Sequence, residues 1–189
     1  AYVSEEKGVP DAQTAVQLAQ DILAERFSDD ASIRAKLREF YRRTGMLRSA
    51  AAKEGESVYA QYADYREPVL RAAGHRILAI NRGEREEWLK VSVECDDERA
   101  EQIVRREVIE PGSACCDVVR AAADDAWSRL IQPSLEREIR SELTDKANEG
   151  AIRVFGDNLH QLLMQPPIRG KVTLGVDPGF RTGCKLAVV

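Results

Sequence analysis

The sequence has no apolar run approaching the roughly 18 residues that a membrane-crossing helix needs, and no signal-peptide pattern at its start. Histidine is almost missing: His75 and His160 stand alone, too far apart in sequence to suggest a metal cluster. The four cysteines (Cys95, Cys115, Cys116 and Cys184) make no C-x-x-C pair. That excludes a disulfide framework and a zinc ribbon and reads as reduced cytosolic thiols. A global excess of positive charge is also lacking. With a net charge of −4 the chain is no polycation, so any grip on an anionic polymer must come from a local patch.

What is present is a charge-rich chain of 189 residues, 43% hydrophobic and 32% charged, long enough to bury a core without covalent staples. Ala1 stands where an initiator Met would, and Val188-Val189 closes the chain inside an apolar run, so the sequence is expected to be a segment of a longer protein.

Apolar residues recur at helical spacing from Ala15 to Phe27, and Asp30 is placed to cap a second helix carrying Ile33, Leu37, Phe40 and Tyr41, stopped at Gly45. Residues 46–53 read as a short extended segment. Tyr59, Tyr62 and Tyr65 sit three apart on an expected short helix, as packing residues or as stacking platforms for bases. Ile77–Ile80, the turn chemistry of Asn81-Arg82-Gly83-Glu84, and alternating Leu89, Val91 and Val93 predict a β-hairpin near 76–94. His75, beside Arg76, either meets a phosphate or is partly buried ahead of that strand. Helices are expected over Asp97–Glu110 and roughly 114–131.

After Gln132-Pro133, the residues Leu135, Ile139, Leu143, Ala147, Ala151, Phe155, Leu159 and Leu163 repeat every four positions. A step of four overshoots one turn by about 40°, so this ridge winds around a helix of about 45 Å and should bury different faces at its two ends. It reads as a spine joining two bodies, stopped by Pro166-Pro167.

Between Ile33 and Lys53 seven basic residues face one acid, Glu39, so this stretch carries +6 and leaves −10 for the rest. Arg34, Arg38 and Arg42 share one helical face, with Arg43 beside them. Like charges at that spacing repel, so an anionic neighbour is favourable. Either nucleic acid or the acidic remainder of the same chain can be that neighbour.

Val172–Asp177 is an apolar strand ending in a carboxylate, followed by a turn at Pro178–Gly183 and a second strand at 184–189. An Asp there can hold a divalent cation, meet a phosphate, or simply cap its own turn. RNase H-like nucleases and actin-like ATPases use the first two arrangements. The run LGVDPGFRTGCKLAVV closely resembles the opening hairpin of the YqgF-like, resolvase-like branch of the RNase H fold. HRILAINRGE at 75–84, RLIQPSLEREIRSELTDKA at 129–147, NLHQLLMQPPIRG at 158–170 and GVPDAQTAVQLAQDILAER at 8–26 resemble the bacterial transcription accessory family Tex, over essentially the whole chain.

The resemblance implies a mainly α fold: a helical scaffold region over 1–170 with the β-hairpin near 76–94 inserted, then the first hairpin of a YqgF/RNase H-like domain at 171–189. It implies a cytoplasmic, multidomain, nucleic-acid-binding transcription factor, related to a eukaryotic elongation factor that chaperones histones. Its partners would be RNA or DNA and the transcription machinery, with no membrane, no metal and no cofactor. This segment would act as an architectural scaffold. The candidate nucleic-acid-binding residues are Arg34, Arg38, Arg42 and Arg43. An RNase H-like nuclease needs several converging carboxylates around two ions about 4 Å apart, and Asp177 is one. The expectation is therefore no enzyme, with Asp177 vestigial; a truncated metal-dependent nuclease is the alternative. Cut from their sheet, the strands at 172–176 and 184–189 should be disordered, folded back on the helices, or paired with another copy.

Overall fold

The fold is known from a computed structural model, which describes residues 2–166, 169–181 and 183–189. It is mainly α: six helices, a three-stranded antiparallel sheet and a separate two-stranded hairpin among these residues. The chain divides into two compact units, Ala1–Ala151 and Ile152–Val189.

The first unit opens with α1 (Ala12–Asp29), started by the Asp11 carboxylate on the Thr14 N–H at 2.7 Å. Asp30 begins α2 (Ala31–Thr44), its carboxylate accepting from the Ser32 and Ile33 N–H groups at 2.8 and 2.9 Å, as its place before the apolar stripe requires. Gly45 ends α2 in an extended conformation rather than a left-handed one. A Cβ there would stand 2.4 Å from the Tyr41 carbonyl oxygen, which is why a glycine occupies the position.

Residues Met46–Ala51 form β1, the centre of the sheet, flanked by β2 (Asp64–Pro68) and β3 (Leu89–Glu94), both antiparallel. Here the expected hairpin near 76–94 is corrected. Gly74–Arg85 is a helix, α3, and β3 pairs with β1 some forty residues upstream. Ile77, Ile80 and Gly83 are buried three residues apart, a helical period that the short run of apolar residues disguised as a strand. His75 lies exposed on α3 instead of ahead of a strand. The tyrosines are corrected too: a single 3-10 turn covers Ala60–Tyr62 and Tyr65 lies in β2. Tyr59 and Tyr62 are buried and Tyr62 meets Tyr65 edge-on at 5.5 Å, so they are packing residues.

Helices α4 (Asp97–Val108) and α5 (Cys116–Asp125) follow, α4 capped by the Asp96 carboxylate on the Arg99 N–H. The expected break at Gln132-Pro133 is absent. A π-helical stretch, Ala126–Ile131, carries α5 into α6 (Gln132–Leu163) without interruption. Pro133 has no N–H to give to the carbonyl four residues back, and its ring crowds that carbonyl. The wider turn, with the Gln132 N–H reaching Trp127 O, opens the helix where the ring needs room.

Trp127, Tyr41, Leu37, Ile80, Ile131, Leu135 and Ile139 are the largest buried apolar side chains of the core that α2, α3, the π turn and α6 enclose with the sheet. Each contributes about 1.5–3 kcal/mol by leaving water. On α6 the four-residue ridge is buried at Leu135, Ile139 and Ala147, but from Asn148 to Pro166 every residue is exposed. The expectation that both ends of the ridge bury a face thus holds for the first half alone; Ala151, Phe155, Leu159 and Leu163 have no covering element among the described residues.

In the second unit the last turns of α6 precede β4 (Leu174–Asp177) and β5 (Lys185–Val188), paired antiparallel with Leu174 opposite Val188 and Asp177 opposite Lys185. The strands take each other as partners, and neither outer edge is paired among the described residues. Pro167 of the expected helix stop and Thr182 of the expected turn lie outside the described residues.

Candidate nucleic-acid interface

Two features could meet nucleic acid on sequence grounds: the arginine ridge of α2 and the carboxylate at the end of β4. Arg34, Arg38 and Arg42 do share one face, as their spacing requires. That face lies against α6. Arg34 donates from Nη1 to Ser134 Oγ at 3.2 Å and from Nε to the Ser28 carbonyl at 2.6 Å. Arg38 pairs through Nε and Nη2 with both oxygens of Glu138, the second contact at 3.3 Å. Arg42 makes a two-pronged pair with Glu142 at 3.1 and 2.6 Å.

Each partner stands one hundred residues further along the chain. A constant offset over three consecutive turns means that α2 and α6 run side by side in the same direction and in register. The ridge therefore faces the acidic remainder of the same chain, one of the two neighbours its charge allowed. These pairs are half exposed, and the Glu142 hydrogen bond holds the Arg42 guanidinium above its ordinary pKa.

Three more cations of the +6 stretch are neutralised in the same manner. Lys36 pairs with Glu107 at 2.6 Å, Arg48 with Glu94 at 2.9 Å and Lys53 with Glu87 at 2.9 Å. Of its seven basic residues, Arg43 alone has no hydrogen-bond or ion-pair partner among the described residues; it lies exposed on the last turn of α2. The residues that the sequence left unassigned are the acceptors Ser134, Glu138 and Glu142. Their signal was available, a four-residue spacing on a helix matching that of the arginines, but nothing local ties two segments a hundred residues apart.

Asp177 ends β4 with its side chain open to solvent, and its nearest cation is Lys185 Nζ, 3.9 Å away across the hairpin. No group of three or more His, Cys, Asp or Glu side chains among the described residues is arranged to hold a metal ion. The apolar residues Leu174, Val176, Leu186 and Val188 share one face of the hairpin, and Gly175, Asp177, Lys185 and Ala187 share the other.

A second ionic centre lies under the sheet. Glu67 accepts from Arg76 Nε at 3.1 Å, from Arg76 Nη2, and from the Tyr65 hydroxyl at 2.7 Å. Burial raises the Glu67 carboxyl, and the Arg76 and Tyr65 hydrogen bonds together outweigh it, so its pKa lies below the usual carboxylate range. On the free edge of β3, Glu136 of α6 accepts the Val93 N–H at 3.0 Å and Arg140 donates to the Val91 carbonyl at 3.3 Å. These two side chains seal an edge that would otherwise invite another strand. Burial pushes the Cys95 thiol up to about 11, so little thiolate forms at neutral pH and it is no ready nucleophile. None of the described helices is long and apolar enough to cross a membrane.

Residues 1–155 match the protein family described as Tex central region-like. The chain is 43% identical over 192 residues to the uncharacterized protein YdcI of Bacillus subtilis, covering 99% of this chain and 27% of that protein. It is 35% identical over 202 residues to the transcriptional accessory protein Tex of Neisseria gonorrhoeae, over all of this chain and 26% of that protein. The S1 RNA-binding domain-containing protein 1 of Pongo abelii is 39% identical over 124 residues, 61% of this chain and 12% of that protein. The chain thus spans about a quarter of the length of the bacterial relatives that it matches from end to end.

Proposed function

The chain belongs to the Tex family, and on that premise we propose that it is the architectural part of a cytoplasmic, nucleic-acid-binding transcription accessory factor. The names of the Neisseria and Pongo relatives, one a transcriptional accessory protein and the other an S1 RNA-binding domain-containing protein, support the association with transcription and RNA. The observation that carries the scaffold reading is the use of the arginine ridge. Arg38 and Arg42 spend their charge, and Arg34 its hydrogen bonds, on fixing α2 in register with α6. The segment's own basic stretch thereby builds the frame, and RNA or DNA is met by surfaces other than this ridge. From that frame α6 continues unbroken to Leu163. A helix of 32 residues spans roughly 48 Å and is stiff enough to set the distance and angle between what its two ends carry.

In this reading the chain is not an enzyme. Asp177 is one carboxylate beside a lysine, and a lone carboxylate holds Mg²⁺ weakly because that ion keeps most of its waters. The transcription machinery is the partner that the scaffold would orient against the nucleic acid.

Helical phase tests the proposal. In a full-length family member carrying this segment, two residues inserted between Asn148 and Glu149 rotate everything downstream by about 200°, whereas seven residues restore the phase to within about 20°. The scaffold reading expects the two-residue insertion to abolish function in transcription and the seven-residue insertion to retain most of it. Equal activity of both with the parent overturns it. Metal-dependent cleavage of RNA or branched DNA by the full-length protein, lost in Asp177→Asn, would establish the nuclease alternative.

A further inference from the structure

A groove of about 310 Å³ lies between α3 and α6 and is lined by Asn81, Arg137, Arg140, Ser141 and Thr144. Its lining contains no apolar side chain and no carboxylate, an unusual composition for a notch on a chain of net charge −4. Two of its walls are already fixed. Arg140 is held by both oxygens of Glu84, one at 3.0 Å, and by the Val91 carbonyl, which also spends the Glu84 charge. Asn81 Nδ2 donates to Thr144 Oγ1 at 2.8 Å, and that hydroxyl donates to the Arg140 carbonyl at 2.8 Å.

What remains unspent is chiefly donor, beside the carbonyl oxygen of the Asn81 amide. Arg137 has no hydrogen-bond or ion-pair partner among the described residues, and Ser141, one turn further along α6, has none for its hydroxyl. The second amide hydrogen of Asn81 is also free. Positions 137, 141 and 144 share one face of α6, and Asn81 reaches them from α3. Arg34, Arg38, Arg42 and Arg140 on these two helices are matched by a serine or a carboxylate, and the other open arginines, Arg43 and Arg153, do not line the groove. Arg137 is left open.

Guanidinium, hydroxyl and amide donors converging on an open groove are the set that proteins use on phosphate oxygens. We propose that this groove binds a phosphodiester of a nucleic-acid backbone, with Arg137 as the charged contact and Ser141 and Asn81 as hydrogen-bond donors. The volume accommodates a phosphate with its neighbouring sugar, and the exposure of Arg137 and Ser141 suits a polymer lying across the surface better than an enclosed metabolite. The proposal rests on the nucleic-acid role proposed above and adds a contact that the scaffold reading does not need.

The test is binding of fluorescein-labelled single-stranded RNA and of duplex DNA to the 189-residue chain, across a salt series from 50 mM upward. Arg137→Gln and Ser141→Ala change exposed side chains, and Arg120→Gln, on α5 and paired with Asp117, serves as a control arginine outside the groove lining. Circular dichroism checks that each variant is folded. The proposal expects Arg137→Gln to weaken binding five- to tenfold at low salt and to lower the log–log salt slope by about 0.7–0.9, the loss of one phosphate contact. Ser141→Ala should weaken binding about two- to threefold and leave the slope unchanged, and Arg120→Gln should change neither. Wild-type binding that Arg137→Gln leaves untouched overturns the groove while the family's nucleic-acid role stands. No binding of either probe by the wild-type chain also overturns it, and leaves the scaffold reading to the insertion experiment.

Discussion

Arg42 on α2 and Glu142 on α6 face each other with two hydrogen bonds, at 3.1 and 2.6 Å, across one hundred residues of sequence. Their relationship repeats one turn earlier at Arg38 and Glu138, and again, with a serine, at Arg34 and Ser134. Exposed pairs of this kind are worth about 0.2–1 kcal/mol each. Their larger effect is on specificity. A slip of α2 by one turn one way would leave Glu142 unpaired, and a slip the other way would set Arg42 against Lys146, so the ladder favours the native register.

Acid should weaken the sheet at a particular residue. Glu67 has a depressed pKa in the folded chain, so the stability it contributes is fully present above the ordinary glutamate pKa and is lost as pH falls through the lower folded value. Glu67→Gln should destabilise the chain by about 1–2 kcal/mol near pH 7. The difference from wild type should shrink as pH falls below the ordinary glutamate range and through the lower folded value, where the wild-type carboxyl is itself protonated. Thermal melts at pH 7, 5 and 3.5 measure this; an equal difference at all three contradicts it.

The core holds a hydroxyl that costs stability. Ser49 is fully buried in β1, and its Oγ has no hydrogen-bond partner among the described residues. An unpaired buried polar group costs about 1–3 kcal/mol, so Ser49→Ala should raise stability by about 1 kcal/mol in urea unfolding. Destabilisation by that substitution would mean the hydroxyl has a partner.

Glycines inside helices should respond in opposite ways. A Cβ at Gly83 of α3 would stand 2.6 Å from Leu89 Cδ1 and 3.1 Å from Tyr59 Cδ1, so Gly83→Ala should cost about 1–3 kcal/mol through crowding. Gly156 of α6 has nothing within 4 Å. Gly156→Ala should firm the exposed half of α6 by about 1 kcal/mol, read as slower amide exchange over residues 150–160.

Nuclease assays with Mg²⁺ or Mn²⁺ should find the 189-residue chain inactive on single-stranded, duplex and branched substrates. Cleavage that disappears in Asp177→Asn would contradict the scaffold reading.

Features set by near neighbours were legible in the sequence. Asp30 caps α2 through N–H groups two and three residues away, and α6 announces itself by a four-residue period kept over eight positions. Features set by distant ones were not. Ile77 to Ile80 fit a strand or a buried helix equally, and the choice fell to the pairing of β3 with β1, which local turn chemistry cannot reveal. Pro133 signals a helix end unless the preceding turn widens, as it does at Ala126–Ile131. The candidate interface followed the same division. The arginine ridge was plain at positions 34, 38 and 42, and its charge required an anion. That the anion is Glu138 and Glu142 depends on how α2 and α6 pack, which no window of sequence contains.

The central claim is that the α2 ridge is a structural ladder against α6, and a charge-swap cycle at Arg38 and Glu138 tests it most directly. The account predicts that Arg38→Glu and Glu138→Arg each lower stability in urea unfolding by about 1–2 kcal/mol, through like-charge contact with the partner left behind. The double variant should recover at least half of the summed loss, while nucleic-acid binding by the chain is unchanged. Strictly additive losses in the double variant, or loss of nucleic-acid binding in Arg38→Glu with stability untouched, would contradict it.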